Sequence, residues 1–512
     1  MVDHKKEREM QLMRMMLVAA QTVIIVNDVQ ETTVAGPLPI SMDNPAQIFE
    51  GWGTSLAWFA EYVGMLEEAQ QDLVADLIFD HDVGLGLEIV RYNIGASNTD
   101  PAAILSMRPG GAVPSLLLPN GTYNWALDYK QASVMFAARD RGALIFEAFA
   151  NSPPWFMTIS GDPSGNADGH KDNLAPENYD AFVDYLTEVV GYYRHEMNFT
   201  FRTVEPFNEP FSWNWHAGND QEGCHYDPST QDIILQKLAA SLDEKELSPE
   251  TGISASDEYQ YEWAIDTFLQ YGKTLDVISQ INTHGYHVLG QQGIRNLAGN
   301  AGKRLWMSEY ANGDFDYADI RSGLTLSTQI LSDLKDGGVQ GWVYWQAVEN
   351  RDGGGSNWGL LQMPFGDNSP QDVPWPNVPI RFSKQYYTMM QYSKFIKNGW
   401  TILETDEDEW TLAAIYQNDD GSVQIAVVST NTGLYDITVN WSFGTIALPV
   451  YMEVYRTSAT ENFAQLEYVL LSTDGLLQYD LPPDTITTFH VTLSSAPVAP
   501  PEAAPEAEND EL

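Results

Sequence analysis

The sequence predicts an α/β fold, a closed (β/α)8 or TIM barrel, with an appended all-β sandwich side domain. Between residues 48 and 400, short apolar runs alternate with helical stretches, which indicates βα units around a parallel sheet. From about Thr401, strand-like runs follow one another with turn residues and no helical pattern, which is typical of a sandwich. Eight strand candidates precede that change and begin near Phe49, Leu87, Leu144, Phe201, Gly252, Val277, Arg304 and Gly341.

Helices between the strand candidates are recognised from apolar residues that recur on one face. Phe182, Leu186, Val189 and Tyr193 fall at i, i+4, i+7 and i+11, as expected for a helix packed on a barrel. The active site of such a barrel lies at the carboxyl ends of its strands, so polar residues that follow the apolar runs are the candidates for function.

The same patterns divide the chain into five segments. We expect a signal-like or disordered segment at 1–30, one or more strands at 31–47 that join the side domain, the catalytic barrel at 48–400, the sandwich at 401–495, and a disordered acidic tail rich in Pro, Ala and Glu at 496–512.

Charge restricts the partners of this chain. Lys and Arg total 26 against 71 Asp and Glu, a formal net charge of −45, which repels nucleic acids and anionic membranes. We therefore expect a neutral polysaccharide or oligosaccharide as substrate, no nucleic-acid or membrane partner, and a monomer. The acidic excess also suits salty or acidic surroundings. The 15 tryptophans suit the binding of flat sugar rings, although most of them are expected to lie in the core.

The two chain ends bear on localisation. Basic residues precede an apolar run from Met15 to Val26, which could be a signal peptide, although Thr22 to Val26 could equally form a strand. We expect secretion. The last four residues read NDEL, close to a retention signal, so retention in the secretory pathway is the alternative.

Two short runs carry the candidate chemistry. VEPFNEP (Val204 to Pro210) and RLWMSEYANGD (Arg304 to Asp314) each contain a glutamate, Glu209 or Glu309, at the end of the fourth or seventh strand candidate. Cleavage of a glycosidic bond needs two such carboxyls, one as proton donor and the other as nucleophile or base. Glu205 is a rival for the donor role, but Pro206 makes a bulge plausible, and we expect Glu205 to be a supporting residue.

Several segments, in order along the chain, resemble glycoside hydrolase family 30, and most of all its endo-β-1,6-galactanases. The resemblance implies a (β/α)8 barrel with a β-sandwich side domain, retention of the anomeric configuration, and no metal or other cofactor. The matching segments are EGWGTSLAWFAEY (Glu50 to Tyr62), GLGLEIVRYNIG (Gly84 to Gly95), IFEAFANSPPWFMT (Ile145 to Thr158), VEPFNEPFSWNW (Val204 to Trp215), QEGCH (Gln221 to His225), WMSEY (Trp306 to Tyr310) and WVYWQAVE (Trp342 to Glu349).

The resemblance also implies roles for individual residues. Glu209 would be the acid/base, Glu309 the nucleophile, and Asn208 the partner of the sugar 2-hydroxyl in the −1 subsite. The remaining residues that resemble the −1 pocket of the family are Arg91, Trp155, His284, Tyr286 and Trp345. Three of them have a structural alternative: Arg91 as a salt bridge, His284 as an organiser of its loop, and Trp155 as core. Trp213, Trp215 and Glu222 could line positive subsites.

The sequence therefore predicts an endo-acting retaining hydrolase of β-1,6-linked galactan, such as arabinogalactan side chains. The alternatives are another specificity in the family (β-1,6-glucanase, xylanase or exo-β-glycosidase) and, more remotely, a non-catalytic carbohydrate-binding protein. Retention requires the two carboxyls to lie about 5–5.5 Å apart. Glu209 must keep its proton near the working pH, whereas Glu309 must stay ionised with the help of Arg91 or Tyr286.

Overall fold

Eight parallel strands close into a barrel in chain order, and the eighth strand pairs with the first. All eight correspond to the predicted candidates, which confirms the (β/α)8 fold. The computed structural model describes residues 37–41, 43–313, 315–350, 358–364, 379–405, 408–446 and 449–493. The barrel strands are Gly51–Ser55, Ile89–Asn93, Ile145–Phe149, Thr203–Glu205, Gly252–Glu258, Gln280–His284, Arg304–Tyr310 and Gly341–Gln346.

Helices cover the outside of the barrel. The helix Tyr179–Glu196 buries all four side chains that were predicted to share one face. Short 3-10 turns lie in the loops at Pro101–Ile104, Trp125–Asp128, Trp155–Met157 and Pro176–Asn178. The α-helices are Ala60–Val63, Glu68–Phe79, Tyr129–Asp140, Tyr179–Glu196, Pro228–Glu244, Tyr261–Gln270, Thr274–Val277, Gln291–Ala301, Ile320–Lys335 and Lys384–Ser393.

The remaining strands form three further sheets. The largest has eight strands and includes Pro45–Ile48, which pairs with Thr401–Leu403. Its other members are Thr411–Gln417, Val423–Asn431, Val450–Thr457, Ala464–Gln465, Val469–Leu471 and Thr485–Leu493. A three-stranded sheet joins Leu38–Pro39, Ile437–Ser442 and Leu476–Leu481. A small sheet beside the barrel mouth joins Val348–Asn350, Leu361–Met363 and Arg381–Phe382.

The eight-stranded sheet contributes to two cores because its side chains alternate between faces. Leu412 and Ala414 point into the barrel-side core, whereas Ala413 and Ile415 point into the side-domain core. On the second face the three-stranded sheet packs against it, with the ring of Trp441 5.0 Å from that of Phe489. The two sheets thus form a sandwich, and one of them also covers the barrel helices Ile320–Lys335 and Lys384–Ser393.

The centre of the barrel is polar below its carboxyl-terminal mouth. Glu147 on the third strand is fully buried and accepts hydrogen bonds from Arg91 at 2.9 Å and from Asn282, Thr203 and Ser254. A buried charge is tolerated only when it is paired and hydrogen-bonded, and Arg91 is the cation that pairs with it. This network fixes Arg91 directly beneath the site described below.

Several expectations concern parts of the chain that lie outside the described residues. These are the segment 1–30, residues 31–36 of the range 31–47, and the tail 496–512. Secretion, retention and the monomeric state stay predictions. Within the described residues no helix is both long enough and apolar enough to cross a lipid bilayer.

Candidate active site

The two predicted glutamates meet at the carboxyl-terminal mouth of the barrel. Glu309 lies within the seventh strand, but the fourth strand ends at Glu205, four residues earlier than we expected from the position of Glu209. Glu209 instead has a left-handed backbone with φ of 46°. Such a conformation is uncommon for a non-glycine residue, and here the Glu209 amide donates to the carbonyl of Asp257 at 2.8 Å, which helps to hold it.

A histidine joins the two carboxyls. One carboxyl oxygen of Glu209 and one of Glu309 lie within 4.8 Å of each other. His284 Nδ1 lies 3.1 Å from Glu209 Oε1 and 3.5 Å from Glu309 Oε1, so a single N–H group faces both. Both glutamates are almost fully buried. The pair is therefore separated by a gap in which one sugar carbon and its glycosidic oxygen can react.

Three groups act on the charge of Glu309. Burial, with the charge of Glu209, raises the pKa of this carboxyl to about 7, although the positive charges of His284 and Arg91 act in the opposite direction. The Tyr286 hydroxyl donates to Glu309 Oε1 at 3.0 Å, and Arg91 Nη1 lies 3.6 Å from Glu309 Oε2. Both contacts expected from the sequence are thus present, and each favours the ionised form.

Asp257 supports both sides of this arrangement. Its carboxylate pairs with Arg91, accepts from the Ser308 hydroxyl at 2.5 Å and lies 3.4 Å from His284 Nε2. Burial alone would raise the pKa of Asp257, but Arg91 and His284 more than offset it and hold the pKa well below its ordinary value. Burial also opposes the charge of His284, yet Glu309 and Asp257 raise its pKa to about 10. His284 is therefore cationic at neutral pH.

The site opens into a cavity of about 660 Å³, a volume typical of sites for small ligands. Asn208, Tyr286 and Trp345 line it beside the two glutamates, as the sequence predicted. The Oδ1 atom of Asn208 is buried and has no hydrogen-bond partner among the described residues. An orphaned acceptor in a cleft costs free energy until a donor such as a sugar hydroxyl reaches it.

Two of the predicted residues lie beneath the cavity rather than on its wall. Arg91 and His284 are fully buried and reach the centre only through the carboxylates that they hold. Arg91 thus combines the two roles considered for it, since it forms ion pairs with Glu147 and Asp257 and also approaches Glu309.

Trp155 lies outside the residues that line the cavity. It opens the 3-10 turn Trp155–Met157 directly after two prolines, its amide donates to the Ala96 carbonyl, and its ring packs edge-on against Phe156 at 5.6 Å. The ring of Trp155 therefore lies beside Phe156 and outside the cavity lining.

Glu205, the rival proton donor, is fully buried at the end of the fourth strand and does not line the cavity. Neither of its carboxyl oxygens has a hydrogen-bond partner among the described residues. Burial, and then the charges of Asp257 and Glu147, raise its pKa well above the ordinary value. Glu205 therefore lies in the barrel interior, outside the cavity that Glu209 lines.

The loop after the fourth strand contains the three residues considered for positive subsites. Trp215 lines the cavity and donates to the Glu209 carbonyl at 2.9 Å. Glu222 also reaches the cavity, but its carboxylate ties loops together by accepting from Ser97 and from the amides of Ala96 and Val113. Trp213 is exposed and lies near His170, outside the cavity lining.

Two groups of side chains in the described residues are close enough to hold a metal ion, but their chemistry fits other roles. In the group Glu209, His284 and Glu309, the histidine is protonated and donates rather than coordinates. In the group Asp172, His225 and Asp227, both Asp172 oxygens already accept hydrogen bonds, from the Asp227 amide and the Thr230 hydroxyl.

Sequence reasoning missed Asp257 and Tyr259. Asp257 lies near the end of the fifth strand, and Tyr259 comes directly after it. The run SASDEY places polar residues at the carboxyl end of this strand, which contains few apolar residues. That position was a usable signal, because the mouth of a barrel is where strand ends converge. Tyr259 lines the cavity beside Tyr286.

Comparison with known proteins agrees with this geometry. The model of O-Glycosyl hydrolase family 30 matches residues 37–286. An endo-β-1,6-galactanase from Hypocrea rufa is 33% identical over 411 residues, covering 75% of this chain and 79% of that protein. An exo-β-1,6-galactobiohydrolase from Bifidobacterium longum subsp. longum is 26% identical, covering 81% of this chain but 36% of its own length.

A solved structure shows the same fold. The catalytic domain of a GH30 xylanase C from Talaromyces cellulolyticus superposes with a TM-score of 0.65 at 18% identity, covering 89% of this chain and 99% of that one. The sequence relatives and the paired carboxyls identify the protein as a glycosidase. The chain belongs to glycoside hydrolase family 30.

Proposed function

We propose that this hydrolase cleaves internal bonds of β-1,6-linked galactan with retention, by double displacement. The observation that carries the mechanism is the approach of the Glu209 and Glu309 carboxyl oxygens to within 4.8 Å. An inverting enzyme needs a water molecule between its base and the sugar and holds its carboxyls about 6.5–9.5 Å apart. The short separation favours direct attack by one carboxylate.

In the proposed first step, Glu309 attacks the anomeric carbon while Glu209 protonates the departing oxygen. In the second step, the Glu209 carboxylate takes a proton from water, and that water releases the sugar from Glu309. Tyr286 and Arg91 keep Glu309 ionised for the attack. The free Oδ1 of Asn208 accepts from the sugar 2-hydroxyl, a hydrogen bond that strengthens as the transition state forms.

The substrate assignment is supported by the relative from Hypocrea rufa, whose name specifies endo-action on β-1,6-galactan. The net charge of −45 agrees with a neutral glycan. A second candidate is exo-release of galactobiose, which the name of the relative from Bifidobacterium longum favours. Action on β-1,6-glucan or on xylan are the remaining alternatives within the family.

Product analysis tests the substrate and the mode of action. The enzyme is incubated with β-1,6-galactan, β-1,6-glucan and xylan, and products are separated by size during the first few per cent of reaction. We expect a ladder of oligosaccharides from galactan alone. Galactobiose as the sole early product would replace endo- with exo-action, and faster release from glucan or xylan would refute the galactan assignment.

Azide rescue tests the two carboxyl roles, and each variant serves as the control for the other. Glu309→Ala should lose turnover and regain it partly with azide, giving the α-azide. Glu209→Ala should still be glycosylated by an activated aryl glycoside, and azide should give the β-azide. The opposite stereochemistry in the two variants would exchange the roles, and full activity of Glu309→Ala would refute the mechanism.

A further inference from the structure

Four aromatic side chains form a row that starts at the nucleophile and leaves the cavity. Tyr286, which donates to Glu309, stacks on Tyr259 with ring centroids 4.9 Å apart. Tyr259 is 5.8 Å from Trp263, and Trp263 is 6.3 Å from Phe211. We call Tyr286, Tyr259, Trp263 and Phe211 the aromatic row. It connects segments that follow the fourth, fifth and sixth strands, with Trp263 in the helix Tyr261–Gln270, so it is a product of the fold rather than of one segment.

The outer half of the aromatic row faces solvent. Tyr259 and Trp263 are half-buried, and Phe211 is 45% exposed. Tyr286 and Tyr259 line the cavity, whereas Trp263 and Phe211 continue beyond it. Single exposed aromatic side chains are normal on a protein surface, but a group of them that continues a cleft indicates a binding surface.

The position of the row relates it to the departing part of the substrate. Phe211 follows Glu209 by two residues, and its amide donates to the buried Glu258 carboxylate at 3.1 Å, which holds this loop against the fifth strand. The proton donor must face the oxygen that leaves, so the sugars attached to that oxygen extend on the side of Glu209. Phe211 lies in the same loop as Glu209, and Trp263 contacts Phe211.

A second group of aromatic side chains lines the cavity. Trp58, after the first strand, packs edge-on against Trp345 of the eighth strand at 5.0 Å, and Trp358 belongs to the same group. Arg108 lies over the Trp58 ring at 3.8 Å. The wall of the cavity therefore carries aromatic side chains besides those of the aromatic row.

We propose that Tyr259, Trp263 and Phe211 bind the sugar residues on the leaving-group side of the cleaved bond, and that this surface makes the enzyme act within chains. The proposal rests on the proposed role of Glu209 as proton donor. Its ligand is a neutral oligosaccharide whose C–H faces stack on the rings. Since the rings offer no charged partner, binding depends on apolar contact and on chain length.

The experiment compares long and short substrates for Trp263→Ala and Phe211→Ala. The long substrates are reduced β-1,6-galacto-oligosaccharides with several residues beyond the cleaved bond, and the short one is an aryl β-1,6-galactobioside, whose leaving group carries no sugar. We expect kcat/KM on the long substrates to fall about tenfold in each variant, the loss from exposing roughly 60 Å² of apolar surface. On the aryl substrate kcat/KM should change by less than about twofold, because that substrate buries no such surface there. Transfer to added galactobiose should fall in parallel, because an acceptor would bind the same surface.

Tyr451→Ala is the matched control, since Tyr451 has a similar exposure of 44% and lies in the side domain. It should leave both substrates unaffected. Equal losses on long and aryl substrates in the Trp263 and Phe211 variants would overturn the proposal, because the rings would then only support the fold. Unchanged rates on both would overturn it too. If the wild-type enzyme cleaves β-1,6-glucan instead, the galactan assignment fails. The aromatic row is then tested by comparing kcat/KM on long gluco-oligosaccharides with kcat/KM on the corresponding aryl glucoside.

Discussion

The hydrogen bond from Tyr286 to Glu309 can be removed without removing the ring. Tyr286→Phe deletes the hydroxyl that donates at 3.0 Å and keeps the stack on Tyr259 at 4.9 Å. A hydrogen bond to a charged group contributes about 1.5–3 kcal/mol, and one pKa unit corresponds to about 1.4 kcal/mol. The ionised form of Glu309 loses this stabilisation and the protonated form does not. The pKa of Glu309 should therefore rise by about 1–2 units.

The assay is kcat/KM against pH on an aryl glycoside, whose acid limb reports the essential base of the free enzyme. Because Glu309 must be ionised to attack, the acid limb of Tyr286→Phe should move to higher pH by about 1–2 units. Tyr259→Phe is the control, since its hydroxyl makes no hydrogen bond within the described part of the chain, and its acid limb should not move. An unchanged acid limb with a raised KM in Tyr286→Phe would refute the reasoning and assign the hydroxyl to the sugar.

Three further predictions concern neighbouring groups. Asn208→Ala should lower kcat about 10²–10³-fold on a normal substrate, because a contact with the 2-hydroxyl contributes several kcal/mol in the transition state. On a 2-deoxy substrate kcat should fall much less, and an equal loss on both substrates would contradict the contact. Asp257→Asn should lower the pKa of His284 from about 10 by about 1–3 units, because the imidazole loses a close carboxylate. An unchanged pKa of His284 in an NMR titration would contradict the ion pair. Burial raises the pKa of Glu222 to about 7, so the folded state holds this proton more tightly than the unfolded state, and that stabilisation fades as pH rises from about 4.5 to about 7. Glu222→Gln should make the fall in Tm between mildly acidic and slightly alkaline pH less steep, and an unaltered slope would count against a protonated Glu222.

Local pattern was sufficient for the barrel because each strand is a short buried run and each neighbouring helix has one apolar face. The same holds for Glu309, which lies inside a strand whose bounds the pattern predicts. The fourth strand was harder. Glu209 reaches the site through a left-handed backbone held by the Asp257 carbonyl, and no feature of the segment VEPFNEP indicates that partner.

The position of Asp257 at a strand end was a usable signal, but the partners through which it acts could not be predicted, for the same reason. Asp257 matters because Arg91, Ser308 and His284 converge on it from the second, seventh and sixth strands. The contact between Trp263 and Phe211 likewise joins a helix and a loop that are far apart in sequence. Trp155 matches the expected residue type but lies outside the cavity lining, so its contact with a sugar stays a prediction.

The eight-stranded sheet has a practical consequence for anyone who wishes to trim this enzyme. One face of this sheet packs against the barrel helices through Leu412, Ala414, Ala426 and Val428. The strand Pro45–Ile48, which precedes the barrel in the chain, belongs to the same sheet. Removing the chain after Thr401 would therefore expose an apolar surface on the barrel helices and leave the strand Pro45–Ile48 without its partner. The barrel expressed alone should aggregate. A shorter form of the enzyme therefore has to be made by shortening loops and not by cutting the chain between the barrel and the side domain.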